Sequence, residues 1–307
     1  MKKDGLSGHL SVAGAYTIFG LNLVFCKDIA NSDVLSPMLL FTLRALGAAA
    51  LFWLVSLFLP KEPVARADFG RIALASLVGL YIPQLTFLKA ITVSATIDAS
   101  VMHTLSPIFT MFFAFFFLKE PISWKKAAGV AVSFAGVLLL IFNSFHAEGT
   151  VSKTSAAGFA LLILNSLSFA LYLGAFRQLI ARYSVVTFMK WTFLFSLLLS
   201  LPFSCRELVT ADYAAIPRNV AGEIAFLIFF ATFVAYFLIP YGQKRIRPTL
   251  VSMYSYLQPI LATVISIFTG LDVLTWQKLA ATLLVVGGVV LVNRSRAAAS
   301  RAKTESR

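Results

Sequence analysis

The chain has few of the residues on which most catalytic and metal centres depend. Its 307 residues include two cysteines, Cys26 and Cys205, and three histidines, His9, His103 and His146. Two cysteines are too few for a disulfide framework, and three histidines are too few for a histidine-rich diiron enzyme of the membrane. The sequence also contains no GxxxxGK[ST] phosphate loop. We therefore expect neither an enzyme nor a bound metal or cofactor.

Charged residues are also scarce. They make up 13% of the sequence, whereas hydrophobic residues make up 59% and the mean hydropathy is +0.85. In ordinary soluble domains about 25% of residues are charged and less than about half are apolar. This composition therefore predicts a protein that lies in a lipid bilayer.

Ten apolar runs are long enough to be membrane spans, because a helix of about 20 residues crosses the hydrocarbon core. They lie at 10–26, 37–59, 71–91, 98–118, 126–143, 157–176, 186–203, 222–241, 249–269 and 278–293. The basic start at Lys2 and Lys3 also fits a secretory signal, but no small-residue cleavage pattern follows the first run. We predict an all-α polytopic membrane protein with ten transmembrane helices.

The distribution of positive charge predicts the orientation. The chain has 26 Lys and Arg against 13 Asp and Glu, and most of the basic residues fall on one side of the predicted spans. Basic loops stay in the cytoplasm, so both termini, including a basic tail at 294–307, are predicted to be cytoplasmic. This bias explains the positive surplus without a nucleic-acid partner. We expect a multi-pass protein of the plasma membrane, here a bacterial inner membrane.

The chain resembles itself at a shift of about 150 residues. At a shift of 152, Pro107 falls on Pro259 and Gly136 on Gly288. Each copy holds five predicted spans, and five is odd, so the second copy enters the membrane from the opposite side. The sequence thus predicts two inverted five-helix repeats.

The repeats are predicted at 1–145 and 155–293. Inverted repeats can exchange conformations, which is the geometry of alternating access, so they favour a transporter. A duplicated scaffold could also serve as a structural subunit or as the framework of an enzyme.

Two segments carry a resemblance to a known family. They are SPIFTMFFAFFFLKEPISWKKAAGVAVSFAGVLLL at 106–140 and QPILATVISIFTGLDVLTWQKLAATLLVVGGVVL at 258–291, where Asp272-Val273 replaces Glu120-Pro121. Both resemble the end of the repeat in EamA-type members of the drug/metabolite transporter superfamily. The resemblance covers residues 10–293. It implies a multi-pass exporter of amino acids or related small metabolites, with the transport path between the repeats.

Two ionisable residues inside predicted spans are candidates for function, because such groups are energetically unfavourable in hydrocarbon. Arg44 lies in the second span and could hold a substrate carboxylate, or it could bond backbone carbonyls or extend to the interface. His103 could exchange protons or contact substrate, or it could be a neutral histidine bonded between helices. Asp98 lies at a span edge, so no carboxylate proton relay is predicted.

Proline-broken helices in corresponding parts of two repeats indicate a binding site near the breaks. Pro107 and Pro259 are the predicted hinges, and Pro83 and Pro240 are expected to break the third and eighth spans. Polar and aromatic residues surround these prolines, although any tyrosine could instead serve packing. Those expected to bind substrate, besides Arg44 and His103, are Asn22, Tyr81, Gln84, Tyr172, Tyr236, Tyr256 and Gln258; Asn165 lies near them.

Glycines in the fifth and tenth spans allow close helix contact. Gly129, Gly136, Gly287 and Gly288 could pack the two repeats together or mediate a homodimer. The expected function is a secondary transporter of a small-molecule substrate in the lipid bilayer. The alternatives are an integral-membrane enzyme or lipid-handling protein that uses His103 and Arg44, and a membrane protein that does not transport.

Overall fold

The computed structural model describes residues 3–118, 124–146, 153–270 and 273–305. These ranges are helical with connecting turns and contain no β-strand, so the predicted all-α fold is confirmed. The first half of the chain contributes α1 (Lys3–Ser32), α2 (Pro37–Leu57), α3 (Arg66–Ser76), α4 (Ile82–Thr92), α5 (Thr96–His103), α6 (Ser106–Leu118) and α7 (Trp124–His146). The second half contributes α8 (Ala156–Ala175), α9 (Arg177–Arg182), α10 (Val185–Thr210), α11 (Arg218–Phe226), α12 (Ala235–Gln243), α13 (Pro248–Met253), α14 (Leu257–Thr269) and α15 (Trp276–Glu305).

Within the described ranges, eight helical stretches are long and apolar enough to cross a membrane. They are Gly5–Ser32, Pro37–Leu57, Arg66–Thr92, Thr96–Phe117, Ala156–Ala175, Val185–Thr210, Arg218–Gln243 and Leu250–Thr269. The other two predicted spans lie in α7, whose apolar stretch is Ala127–Leu139, and in α15, which continues through the predicted tail to Glu305. The chain is a multi-pass membrane protein, and the count of ten spans stays a prediction.

The fourth and ninth spans are each broken into two helices, but the breaks lie before the prolines. The amides of Thr104 and Leu105 bond carbonyls only three residues back, so the α-helix tightens and stops ahead of Pro107. In the second repeat a 3₁₀ turn, Tyr254–Tyr256, takes the equivalent place ahead of Pro259. Proline lacks the N–H that would bond the preceding turn, which explains why the break falls on its N-terminal side.

The third and eighth spans contain π-helical segments, which the sequence analysis did not predict. Leu77–Tyr81 joins α3 to α4, and Leu227–Val234 joins α11 to α12. Both segments begin at equivalent positions, since 77 and 227 differ by 150. Pro83 is the second residue of α4, just after the first segment, whereas Pro240 lies inside the continuous helix α12. The expectation that Pro240 breaks its helix is therefore wrong.

The two repeats exchange their first helices. Helix α1 packs against α12 and α14 of the second repeat, and α8 packs against α4 and α6 of the first. The second helices of the two repeats, α2 and α10, pack against each other, and so do the last helices, α7 and α15. Every one of these contacts has an equivalent with the repeats reversed, as expected for inverted repeats about a twofold axis.

Glycines bring α7 and α15 into backbone contact. A Cβ atom on Gly136 would lie 2.8 Å from the Ala281 carbonyl oxygen, and one on Gly288 would lie 2.5 Å from the Gly129 carbonyl oxygen. A shift of 152 maps one contact onto the other, so the pseudo-twofold axis passes between these helices. The glycines therefore pack the repeats together. A Cβ atom on Gly287 would meet no atom of a neighbouring helix within 4 Å. The homodimer stays a prediction.

Adjacent glycines of α15 provide a matched test of this packing. Gly288→Ala should lower the melting temperature of the purified protein, because overpacking against backbone typically costs about 1–3 kcal/mol. Gly287→Ala should leave the melting temperature unchanged or raise it, because alanine favours a helix over glycine by about 1 kcal/mol. Equal melting temperatures for the two variants would contradict the close packing.

Candidate functional site

A cavity of about 600 Å³, including its mouth, lies between the two repeats at the middle of the spans. The first repeat supplies ten of its lining residues and the second supplies five. They are Tyr16, Phe19, Asn22, Leu23, Arg44, Pro83, Gln84, Phe87, His103 and Ser106, and Asn165, Phe169, Tyr236, Ser255 and Gln258. The wall is mainly aromatic and apolar, with a few converging polar groups, which is typical of a site for a small molecule.

The cavity straddles the pseudo-twofold axis. At the shift of 152, His103 corresponds to Ser255 and Ser106 to Gln258, and all four residues line the cavity. They lie at the equivalent helix breaks that precede Pro107 and Pro259. The unwound turns therefore place matching positions of both repeats around one space.

Arg44 is the permanent charge in the wall. Arg44 is only 2% exposed. Its Nε donates to Thr232 Oγ1 at 2.9 Å, and its Nη1 donates to Cys26 Sγ at 3.6 Å. Thr232 itself donates to the Leu227 carbonyl inside the π-helical segment. The π segment thus directs a hydroxyl toward α2, where it orients the guanidinium.

Several buried polar atoms of the wall lack a hydrogen-bond partner. They are Tyr16 Oη, both amide atoms of Gln84, and Ser255 Oγ. Buried polar groups are normally satisfied, so these atoms are suited to bonding a ligand or water that enters the cavity.

The structure brings together most of the residues named from the sequence. Those that line the cavity are Asn22, Arg44, Gln84, His103, Tyr236 and Gln258. Those that do not line it are Tyr81, whose ring packs edge-on against Phe41, and Tyr172, which is buried against Gly79 of the π segment. The side chain of Tyr256 lies outside the described part of the structure, as do Glu120 and Asp272 of the repeat motifs.

Sequence reasoning did not single out Tyr16, Ser106 and Ser255. Serine and tyrosine are common in membrane helices, so their type carries no signal. The signal that could have found two of them is the internal repeat, because Ser106 and Ser255 are the counterparts of the predicted residues Gln258 and His103.

A buried ion pair connects the repeats at the end predicted to face outward. Asp98 at the start of α5 lies 3.6 Å from Lys278 near the start of α15, and it accepts a hydrogen bond from Thr154 at 2.6 Å. Asp98 and Lys278 are both buried. Nearby, Lys27 donates to the carbonyls of Ile91 and Ser94, 3.1 and 2.9 Å away. We call Asp98, Lys278 and Thr154 the outer latch.

Polar contacts also connect the repeats at the opposite end. Asp68 of α3 accepts hydrogen bonds from Arg182 and from the Tyr183 hydroxyl, the latter at 2.7 Å. Glu62 accepts the Ser184 amide at 3.0 Å, and Lys244 donates to the Tyr183 carbonyl. We call Asp68, Arg182 and Tyr183 the inner latch.

Glu62 lies in the connection before α3. Burial raises the pKa of its carboxyl, but hydrogen bonds from Ser184 and Thr187 together with the Lys244 charge lower that pKa below its usual range. Glu62 therefore stays ionised at neutral pH.

Within the described ranges, no group of three or more His, Cys, Asp or Glu side chains is arranged to hold a metal ion. Cys26 and Cys205 are both free thiols, the first buried and the second exposed.

Comparisons with known proteins agree with this architecture. A model of the EamA-like transporter family matches residues 6–142 and 156–294. The chain is 26% identical to the uncharacterized inner membrane transporter YicL of Salmonella typhimurium, over 95% of this chain and 98% of that protein. It is 26% identical to a probable terminal-alkyne amino-acid exporter of Streptantibioticus cattleyicolor, over 76% of each. A crystal structure that is 17% identical covers 95% of this chain and 96% of the other with a TM-score of 0.64, which shows a shared fold.

The bond between Thr232 and Arg44 can be tested by an isosteric change. Thr232→Val should lower the free energy of unfolding by about 1.5–3 kcal/mol, because it removes an acceptor from a buried charged group. Thr210→Val is the control, since Thr210 is exposed and bonds only the Arg206 carbonyl of its own helix. Chemical denaturation in detergent measures both, and equal losses would show that Arg44 does not depend on Thr232.

Proposed function

Because the chain belongs to the EamA-like transporter family, we propose that it is a secondary carrier that exports amino acids or related small metabolites. The observation that supports this most is the cavity at the middle of the spans, lined by both inverted repeats. A site shared between two such halves can face either side of the membrane as the halves rock against each other.

The two latches are suited to act as gates for this motion. The outer latch joins α5 to α15, and the inner latch joins α3 to the end of α9 and the turn after it, so each connects one repeat with the other. Asp68 lies near the start of the third span and Asp98 near the start of the fourth, which are at opposite faces of the membrane. Opening one latch while the other stays closed would give access from one side only.

The hinges would lie at the broken helices, before Pro107 and Pro259, where the backbone already departs from the α-helix. Amino acids fit the proposed site because Arg44 can receive a carboxylate and the aromatic wall an apolar side chain. The relative described as a probable amino-acid exporter agrees with this substrate class. We further propose that the protein lies in a bacterial inner membrane. Both termini would be cytoplasmic, because they lie on the same side as the basic loops, which stay in the cytoplasm.

Counterflow in proteoliposomes tests the carrier function. Liposomes loaded with an unlabelled amino acid should transiently accumulate the same labelled amino acid from outside, because a carrier exchanges solute between two compartments. A panel of apolar, aromatic and polar amino acids should give at least one such substrate, with protein-free liposomes as the control. If no amino acid or related metabolite shows counterflow, the proposal is wrong. Conversion of a lipid in detergent would instead favour the membrane enzyme.

The outer latch gives a second prediction. Asp98→Asn should lower stability by about 3–5 kcal/mol, because it leaves Lys278 as a buried charge without its ion-pair carboxylate. The double variant Asp98→Asn, Lys278→Gln should recover part of that loss, since neither charge remains. Thermal unfolding of the purified proteins measures the difference.

The matched control is Arg71→Gln, which removes an exposed partner of Asp68 and should change stability by less than about 1 kcal/mol. If the outer latch is a gate, the double variant recovers stability without recovering the normal counterflow rate. Recovery of both would show that Asp98 and Lys278 serve stability alone.

A further inference from the structure

The positive charge of Arg44 has no counter-ion in the cavity wall. The described residues that line the cavity include no Asp or Glu, and the two acceptors that Arg44 contacts are the Thr232 hydroxyl and the Cys26 sulfur. Within the described chain no carboxylate lies within 4.0 Å of the guanidinium. Buried charges are normally paired, so an unpaired guanidinium in a membrane protein indicates a missing anion.

The acidic groups nearer the predicted outer surface lie outside the cavity wall. Asp98 pairs with Lys278, and neither Asp28 nor Glu223 is among the residues that line the cavity. These groups therefore do not neutralise the centre of the cavity.

The guanidinium has free donors for an anion. An arginine side chain carries five N–H donors, and the structure uses two of them. The unused donors are both hydrogens of Nη2 and one of Nη1, which are enough to bind a carboxylate through two hydrogen bonds. The other unsatisfied groups of the wall, on Tyr16, Gln84 and Ser255, are neutral.

We propose that the substrate itself supplies the missing charge. This inference rests on the carrier function proposed above. The substrate is a small carboxylic acid in its ionised form, with its carboxylate on Arg44 and an apolar body against the aromatic wall formed by Phe19, Phe87 and Phe169. An ammonium group is tolerated beside the carboxylate but is not required. An amine without an acid group is excluded, because it would place a second positive charge beside Arg44 in a medium of low dielectric constant.

Four probes of similar size separate charge from shape. They are hydrocinnamate, its neutral amide hydrocinnamamide, the cation phenylpropylamine, and the zwitterion phenylalanine. Hydrocinnamate and phenylalanine should both raise the melting temperature of the purified protein. Hydrocinnamate should bind at least about tenfold more tightly than the amide, because hydrogen bonds to charged groups are the stronger ones. Phenylpropylamine should neither bind nor compete. Equal binding of hydrocinnamate and either the amide or the amine would overturn the proposal.

Variants of Arg44 assign the preference to this residue. Arg44→Lys keeps the charge and should keep the order of the probes with weaker binding, whereas Arg44→Met should abolish the preference for the acid. Without ligand, Arg44→Met should melt no lower than the wild type, because it removes a buried charge that lacks a counter-ion. An acid preference that survives in Arg44→Met would show that Arg44 does not hold the carboxylate. Should the methionine variant fail to fold, the wild-type series and Arg44→Lys decide the question.

Counterflow with the same probes keeps the two proposals apart. No counterflow of any probe or amino acid would contradict the carrier function itself. Counterflow of phenylpropylamine or hydrocinnamamide as fast as that of hydrocinnamate would leave the carrier function standing and contradict the requirement for an anion.

Discussion

The architecture depends on satisfying the backbone groups that broken helices leave free inside the membrane. Hydrocarbon offers no hydrogen bonds, so irregular backbone is stable there only when protein groups bond it. Helix α8 of the second repeat supplies these groups to the breaks of the first. Its donors are Ser168 to the Val78 carbonyl at 2.6 Å, Asn165 to the Pro83 carbonyl at 2.6 Å, and Ser166 to the Met102 carbonyl at 3.3 Å.

This requirement links the exchange of first helices to the cavity. Because α8 bonds the irregular segments of α3–α4 and α5–α6, the second repeat holds open the unwound turns of the first. Gln84 lies just after the π segment, and His103 and Ser106 flank the break between α5 and α6; all three line the cavity. Gly79 in the π segment allows the Tyr172 ring to approach closely, since a Cβ there would lie 2.3 Å from the ring. Tyr172, which the sequence suggested as a substrate-binding residue, thus packs between the two repeats and does not line the cavity.

What the sequence could predict followed from properties of single helices. Apolar length predicted the spans, and the unfavourable burial of charge identified Arg44 and His103, which both line the cavity. The burial of Asp98 was not predictable, because it lies at a span edge and its ion-pair partner, Lys278, is distant in the chain. The π segments have no distinctive side-chain pattern, and whether a tyrosine faces the cavity or a neighbouring helix depends on tertiary packing.

The latches and the cavity differ in how they treat charge, since buried charges are normally paired. Where the two repeats meet, the protein forms two ion pairs of its own, Asp98 with Lys278 and Asp68 with Arg182. At the centre the protein leaves Arg44 without a carboxylate and leaves several polar atoms unbonded. An interior built for stability alone would satisfy these groups, and proteins commonly give up stability at sites of function. The unsatisfied atoms of Tyr16, Gln84 and Ser255 lie around one cavity between the repeats, where a substrate with a carboxylate would complete the interactions that the protein itself omits.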